Sequence, residues 1–324
     1  LGRTAIEFQQ VSKQYPNSPQ YAVKEVSVSI EEGSFVTILG TSGSGKTTFL
    51  KMVNRLYEPT AGRILFFGES IQNLNAEEYR RKIGYVIQQI GLFPHMTIED
   101  NIATIPNVLN WDKQKIAGRV EELLELVGLS PQEYRKRYPR QLSGGQQQRV
   151  GLARAMAADP AIMLMDEPFG AIDAITRQTL QEELLHIQKK LHKTILFVTH
   201  DIGEAFKLGD QVIIMHNGEI QQFATPCQIM LQPANDYVAR LVATEDTLQH
   251  LKVLTAASVM SAADSPHTGA GRVKSDASLY SVLTFLLESP QEYVLVEDDL
   301  GHIVGKITWD ELKLKNKRHT PVSA

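Results

Sequence analysis

The sequence has a single cysteine, Cys227, among 324 residues. That excludes an intramolecular disulfide and any zinc site built from several thiolates, and it fits a reducing compartment. No uninterrupted apolar run reaches the about 18 to 20 residues that cross a bilayer. The opening LGRTAIEF also lacks a signal peptide's apolar stretch, so any membrane connection is expected to run through a partner. Positive charge is not in excess either: the formal net charge of -4 gives no global field for nucleic-acid phosphates, and no nucleic-acid partner is expected. What is present is an ordinary globular composition, 43% hydrophobic and 22% charged, in a length that suits one large core and one smaller appended domain.

Short strand-like runs at 5–8, 26–30 and 35–39 alternate with turn signals, and the last opens into a glycine-rich loop. Between Lys113 and Leu129, apolar Ile116, Val120, Leu123, Leu124 and Val127 recur with the spacing of a one-sided helix, which predicts a helical subdomain at about 89–150. Later runs at 161–165, 194–198 and 211–215 are short, apolar and separated by helical stretches, as buried parallel strands are. The expected fold class is α/β. After Thr244 the pattern restarts: DASLYSVLTFLLE reads as a helix, EYVLVED and HIVGKIT as strands, and WDELKLK as a helix. This predicts a main domain at 1–244, a linker at 245–255, a small α+β domain at 256–315 and a tail at 316–324.

Gly40, Thr41, Ser42, Gly43, Ser44, Gly45, Lys46, Thr47 and Thr48 spell GTSGSGKTT between the strand FVTIL and a helix beginning FLKMVNRL. Glycines let such a backbone curl so that its N–H groups face phosphates, the helix start adds partial positive charge, and Lys46 supplies a cation for the β and γ oxygens. Thr47 is expected to ligate Mg2+. Downstream, AIMLMDE delivers Asp166 and Glu167 to the C-terminal end of a strand, where ligands sit in open α/β sheets. Asp166 is expected to hold Mg2+ and Glu167 to act as general base on an attacking water, making ATP and Mg2+ the expected cofactors.

Between these motifs, QLSGGQQ at 141–147 resembles the signature of ABC ATPases. Ser143, Gly144, Gly145 and Gln146 open the helix QQQRVGLARAMAA, so donors at a positive helix end form a second phosphate cradle. The resemblance implies that a second copy of the chain completes each site head to tail, with ATP between signature and phosphate loop. It also implies roles elsewhere. Gln88 in YVIQQIG resembles the Q-loop glutamine near the reacting phosphate and metal, with Gln89 the rival. Asp173 in FGAID resembles the D-loop, and His200 in LFVTHD the switch histidine at the γ-phosphate. Tyr15 in VSKQY resembles the aromatic on which adenine stacks, with Tyr21 the rival.

No long heptad run separates Lys46 from Leu142, unlike chromosome-maintenance relatives, and a translation-factor relative would carry two cassettes. In IGLFPHMTIEDNI, the residues Leu92, Phe93, Pro94 and Met96 resemble the surface that receives a coupling helix from a membrane subunit; internal packing is the competing reading. From Ala5 to Val242 the chain resembles the ATPases of bacterial osmoprotectant importers for glycine betaine, carnitine, choline and related quaternary amines. KMVNRLYEPTAG, RRKIGYVIQQIGLFPHMT and QPANDYVARL carry that likeness. It implies integral membrane permease subunits, indirectly an extracytoplasmic solute-binding protein, and a peripheral place on the cytoplasmic face of the membrane. Residues 256–315 resemble a single CBS module through their β-α-β-β-α order and GKITWDEL, which implies an adenine-nucleotide regulator. They depart from it in showing one copy and in placing Glu311, not aspartate, three residues after Thr308; dimer support is the alternative role. Three other functions compete: an ATP-binding switch without turnover, an importer ATPase for another small solute, and a nucleic-acid-linked ATPase. Glu167 and His200 argue against the first and the acidic balance against the last.

Overall fold

In a computed structural model of the chain, the described residues are 2–16, 18–87, 91–170, 172–243, 251–262, 271–288 and 292–312. They fall into two compact units, Leu1–Thr225 and Pro226–Ala324.

The first unit begins with β1 (Thr4–Gln14), β2 (Tyr21–Glu31), β3 (Phe35–Leu39), α1 (Lys46–Val53), β4 (Ala61–Phe66) and β5 (Glu69–Ser70). There follow α2 (Ala76–Arg81), β6 (Ile83–Val86), α3 (Ile98–Val108), α4 (Lys113–Leu126), α5 (Pro131–Tyr134) and α6 (Gly144–Met156). It ends with β7 (Ile162–Asp166), α7 (Ala174–Leu191), β8 (Thr194–Thr199), α8 (Ile202–Leu208), β9 (Gln211–His216) and β10 (Glu219–Ala224). Strands β3, β7 and β8 are buried along their whole length, which is why FVTIL, IMLMD and TILFVT read as continuous apolar runs rather than alternating ones. They lie inside a sheet of order β10-β9-β3-β8-β7-β6, parallel except for β10. The chain enters the middle of this sheet at β3, leaves for the far edge at β6 and returns through β7 and β8. The carboxyl ends of neighbouring β3, β8 and β7 therefore open on one side, the usual place for a ligand.

One apolar core joins this sheet to α1 and to the antiparallel sheet β2-β1-β4-β5, with Phe8 stacked on Phe49 at 4.2 Å. A second core lies under α3, α4, α6 and α7 and includes Phe35, Leu123, Val150 and Phe197. Helix α4 buries Ile116, Val120, Leu123 and Leu124, the face its spacing predicts. The helical region runs past the expected limit at 150, because Val150, Ala153 and Met156 keep α6 buried on the same side.

The second unit contains α9 (Pro226–Leu231), α10 (Asp236–Val242), α11 (Ala256–Val259), β11 (Arg272–Lys274), α12 (Leu279–Glu288), β12 (Tyr293–Glu297), β13 (Ile303–Thr308) and α13 (Trp309–Leu312). Its sheet has order β11-β12-β13, with β11 parallel and β13 antiparallel to β12, so the β-α-β-β-α order holds among the described residues. The unit starts earlier than the sequence predicts. Cys227 and Met230 pack against its core, and Leu251 and Leu254, assigned to a linker by sequence, are buried within that core. The rest of the expected linker, 245–250, and the tail at 316–324 lie outside the described residues. Among the described residues no helix is long and apolar enough to cross a membrane.

Candidate functional site

In the turn from β3 into α1, Gly40 and Gly45 have no room for a side chain. Gly45 has φ 102°, and a Cβ there would lie 2.2 Å from the Ala22 carbonyl oxygen. A Cβ on Gly40 would lie 2.4 Å from the Met215 oxygen. The Lys46 side chain is buried, and Nζ donates to the carbonyls of Gly40 at 2.7 Å and Thr41 at 2.9 Å, folding the loop around it. Burial pushes the lysine pKa down, against the raising influence of Glu167 and Asp166. Ser44 Oγ is buried with no hydrogen-bond partner. A solvent-open cleft of about 860 Å³ lies over this loop, lined by residues from Ser42 to Thr48 together with Ala22, Glu167 and His200. An orphaned hydroxyl beside a tethered cation fits an anion with several oxygens.

Asp166 ends β7 and accepts from Thr47 Oγ1 at 3.1 Å. Burial raises the Asp166 pKa and the Thr47 hydrogen bond opposes it. Two hard oxygen donors side by side at the phosphate loop suit Mg2+. The backbone then turns through Glu167 at φ 47°, a left-handed conformation that costs a non-glycine residue on the order of 1 to 3 kcal/mol. The Glu167 N–H donates to the Val198 carbonyl at 3.0 Å and holds the turn against β8. Its Oε2 lies 3.3 Å from Nδ1 of the exposed His200, which follows β8. A carboxylate and an imidazole on adjacent strand ends can share a proton or position one water.

Tyr15 joins the same loop: its hydroxyl is 3.0 Å from Thr48 Oγ1, and its ring meets the edge of Tyr57 at 5.6 Å. Tyr21 is 45% exposed at the start of β2, so Tyr15 is the one of the two hydrogen-bonded to the phosphate loop. Ala22 carried no signal in the sequence, because it reaches the loop from a different sheet.

Ser143, Gly144 and Gly145 stand elsewhere in the unit, at the start of α6. Ser143 Oγ accepts from the Gln146 N–H at 3.3 Å, and Gln146 Oε1 accepts from the Ser143 N–H at 3.0 Å, closing a capping box. Gln146 Nε2 donates to the Tyr134 hydroxyl at 3.1 Å. Both ends of the Gln146 side chain are thus engaged in holding the helix start that carries Ser143. Asp173 caps α7 by accepting from the Thr176 N–H at 3.1 Å, and these hydrogen bonds hold its pKa down. Gly145 abuts Thr176, so the structure brings the glycine signature and Asp173 together. Gln88, with its rival Gln89, lies outside the described residues. In the stretch that follows, Leu92 packs on the interior while Phe93 is 40% exposed.

The family model described as ABC transporter matches residues 23–170. The glycine betaine/carnitine/choline transport ATP-binding protein OpuCA of Bacillus subtilis (strain 168) is 52% identical over 244 residues, 75% of this chain, and the chain spans 64% of that relative's length. The carnitine transport ATP-binding protein OpuCA of Listeria monocytogenes serotype 1/2a (strain 10403S) is 43% identical over 318 residues, 98% of this chain and 78% of that one. The glycine betaine uptake system ATP-binding protein YehX of Escherichia coli (strain K12) is 51% identical over 233 residues, 72% of this chain and 75% of that one. Among solved structures, a dimeric ATP-binding cassette in a post-hydrolysis state bound to ADP and Pi is 35% identical. It aligns with a TM-score of 0.61 over 68% of this chain and 98% of its own. The chain belongs to the ABC transporter family of ATP-binding proteins.

Proposed function

We propose that the chain hydrolyses ATP between two copies of itself and drives uptake of a quaternary-ammonium osmoprotectant through integral membrane permease subunits. The observation that carries this reading is the separation of two phosphate-binding features within one unit. The loop at Ser42–Thr48 lines a cleft with Glu167 and His200, whereas the helix start led by Ser143 is not part of that cleft. Each chain then carries two half-sites, and a second copy supplies the missing half of each. The dimeric relative bound to ADP and Pi supports that arrangement.

In this reading Lys46 and Ser44 grip the β- and γ-phosphates, Tyr15 stacks on adenine, and the partner copy's signature helix closes over the γ-phosphate. Glu167 takes the proton of the attacking water, and His200 holds the γ-phosphate in line with it. Thr47, Asp166 and Gln88 would hold Mg2+, which would neutralise phosphate charge when bound. Once the γ-phosphate leaves, both half-sites lose the charge they share and the dimer loosens, the motion a transporter needs.

The solute class is taken from the relatives named for glycine betaine, carnitine and choline transport. A separate extracytoplasmic solute-binding protein selects the solute, and the chain works at the cytoplasmic face of the membrane. The second unit is assigned as a CBS-like module with an adenine-nucleotide regulator. Glu311 Oε2 accepts from the N–H of Thr308 at 2.8 Å and from its hydroxyl, which fixes the carboxylate at the start of the last helix. The test is reconstitution of the full chain with the membrane proteins that co-purify with it. Liposomes are expected to take up glycine betaine, carnitine or choline only with ATP. Hydrolysis without uptake of any quaternary amine overturns the solute, and no hydrolysis overturns the motor.

A further inference from the structure

Behind His200 lies a buried carboxylate that the nucleotide site does not use. Glu204, in the first turn of α8, is 7% exposed, as is Gln181 on α7, and Gln181 Nε2 donates to Glu204 Oε1 at 3.0 Å. The N-cap of α8 is Asp201, whose Oδ1 accepts from the Glu204 N–H at 2.8 Å. A glutamate at this place ordinarily reaches back to the N-cap N–H to close a capping box. Here that N–H is already taken, donating to Thr199 Oγ1 at 3.0 Å, and the Glu204 carboxylate turns instead to Gln181 and the Thr199 hydroxyl. Arg177, one turn before Gln181, joins the same set: Nη2 donates to the Ile172 carbonyl at 3.0 Å, and Nη1 lies 3.9 Å from Asp201 Oδ2. His200 therefore sits between two residues, Thr199 and Asp201, that are linked to α7, and the first turn of α7 is capped by Asp173 and packed on Gly145.

Burial pushes the Glu204 carboxyl up, while Thr199 and Gln181 hold it down. Packing alone does not favour a glutamate there, since an apolar side chain of similar volume fills such a site without desolvating a charge. What the carboxylate adds is direction, because its hydrogen bonds fix the β8–α8 turn to α7 in one setting.

We propose that Glu204 is a positioning residue for His200, tying the turn that carries the histidine to α7 through Gln181 and Thr199. A displacement of the Asp173 end of α7 is thereby transmitted to the imidazole beside Glu167. This rests on the assignment of His200 to the γ-phosphate, and the test separates the two.

MgATP hydrolysis by the full chain is measured for wild type, Glu204→Gln, Glu204→Ala, Gln181→Met and His200→Ala, each with a thermal melt. In Glu204→Gln the amide oxygen still accepts from Gln181 and the amide N–H donates to the Thr199 hydroxyl, so kcat is expected within about threefold of wild type. Glu204→Ala is expected to lose about tenfold or more in kcat with KM within about twofold, and Gln181→Met about threefold in kcat. A folded Glu204→Ala with wild-type kcat overturns the proposal. So does an equal loss in the Gln and Ala variants with KM raised, the pattern of a purely structural residue. If Glu204→Ala does not melt cooperatively, Gln181→Met decides by the same criterion of kcat against KM. Wild-type turnover in His200→Ala sinks the assignment of His200, and the positioning role with it. A loss in His200→Ala with none in Glu204→Ala sinks the positioning role alone.

Discussion

Gly145 stands so close to Thr176 that a Cβ on the glycine would lie 2.6 Å from the threonine methyl carbon. The contact joins the start of α6, capped by Ser143, to the start of α7, capped by Asp173, so the two helix ends are set by one another. Threonine is β-branched and stiff, and its methyl cannot retreat freely. Gly145→Ala is therefore expected to lower Tm even though alanine gains roughly 1 kcal/mol of helix propensity over glycine. Calorimetry checks this, and a raised Tm contradicts it.

Ser44 behaves in the opposite sense. Its buried Oγ has no hydrogen-bond partner. Ser44→Ala removes a desolvated hydroxyl, so the free protein is expected to be unchanged or up to about 1 kcal/mol more stable. The same variant is expected to show a smaller rise in Tm on adding ATP than wild type. A Ser44→Ala protein that is destabilised without nucleotide, or stabilised by ATP as strongly as wild type, counts against the phosphate cradle described above.

The two tyrosines can be told apart by affinity. Tyr15 is hydrogen-bonded to Thr48 in the phosphate loop, whereas Tyr21 is exposed on β2. Tyr15→Ala is expected to weaken ATP binding by about 1 to 3 kcal/mol, the usual worth of stacking on a base, and Tyr21→Ala by much less. Titration calorimetry with ATP decides, and the reverse order assigns the adenine to Tyr21.

A pH effect follows from Asp159, which links the end of α6 to β8. Its carboxylate accepts from Lys193 Nζ at 2.8 Å and lies 3.8 Å from Arg119. The Lys193 hydrogen bond, with the charges of Lys193 and Arg119, holds its pKa below the ordinary value. A depressed carboxyl stabilises the fold above the unfolded pKa of about 3.9, and that contribution is lost as pH falls through the folded value. The Asp159 side chain is largely exposed and its charge therefore screened, so Asp159→Asn is expected to cost under about 1 kcal/mol at neutral pH. Asparagine accepts the left-handed φ of 53° at this position, which keeps the comparison clean. Urea melts across the acid range check it: the gap between variant and wild type closes toward pH 2, and a gap that stays constant refutes the ion-pair origin.

The sequence made legible what is local. GTSGSGKTT announces its conformation because glycines, lysine and threonines act within one turn between β3 and α1, and Asp166 and Glu167 follow from a strand with two acids at its end. What depends on the third dimension stayed hidden. Gln146 reads as part of a phosphate cradle, yet the S-x-x-Q spacing from Ser143 also spells a capping box, and that competing bond holds the side chain. At Asp201 and Glu204 the D-x-x-E spacing likewise suggests a local cap, but Thr199 takes the N–H and sends the carboxylate to α7. The division of the chain was misplaced because nothing in Cys227, Met230, Leu251 or Leu254 says which core will bury it.

Glu167→Gln tests the shared site most directly. Light scattering of this variant in MgATP is expected to give twice the mass of one chain, with ADP leaving single chains. Adding Ser143→Glu, which sets a negative charge against the γ-phosphate, is expected to return the ATP-loaded protein to single chains. A variant that binds ATP yet stays monomeric, or a dimer indifferent to the charge at Ser143, contradicts a nucleotide held between the phosphate loop of one copy and the signature helix of the other.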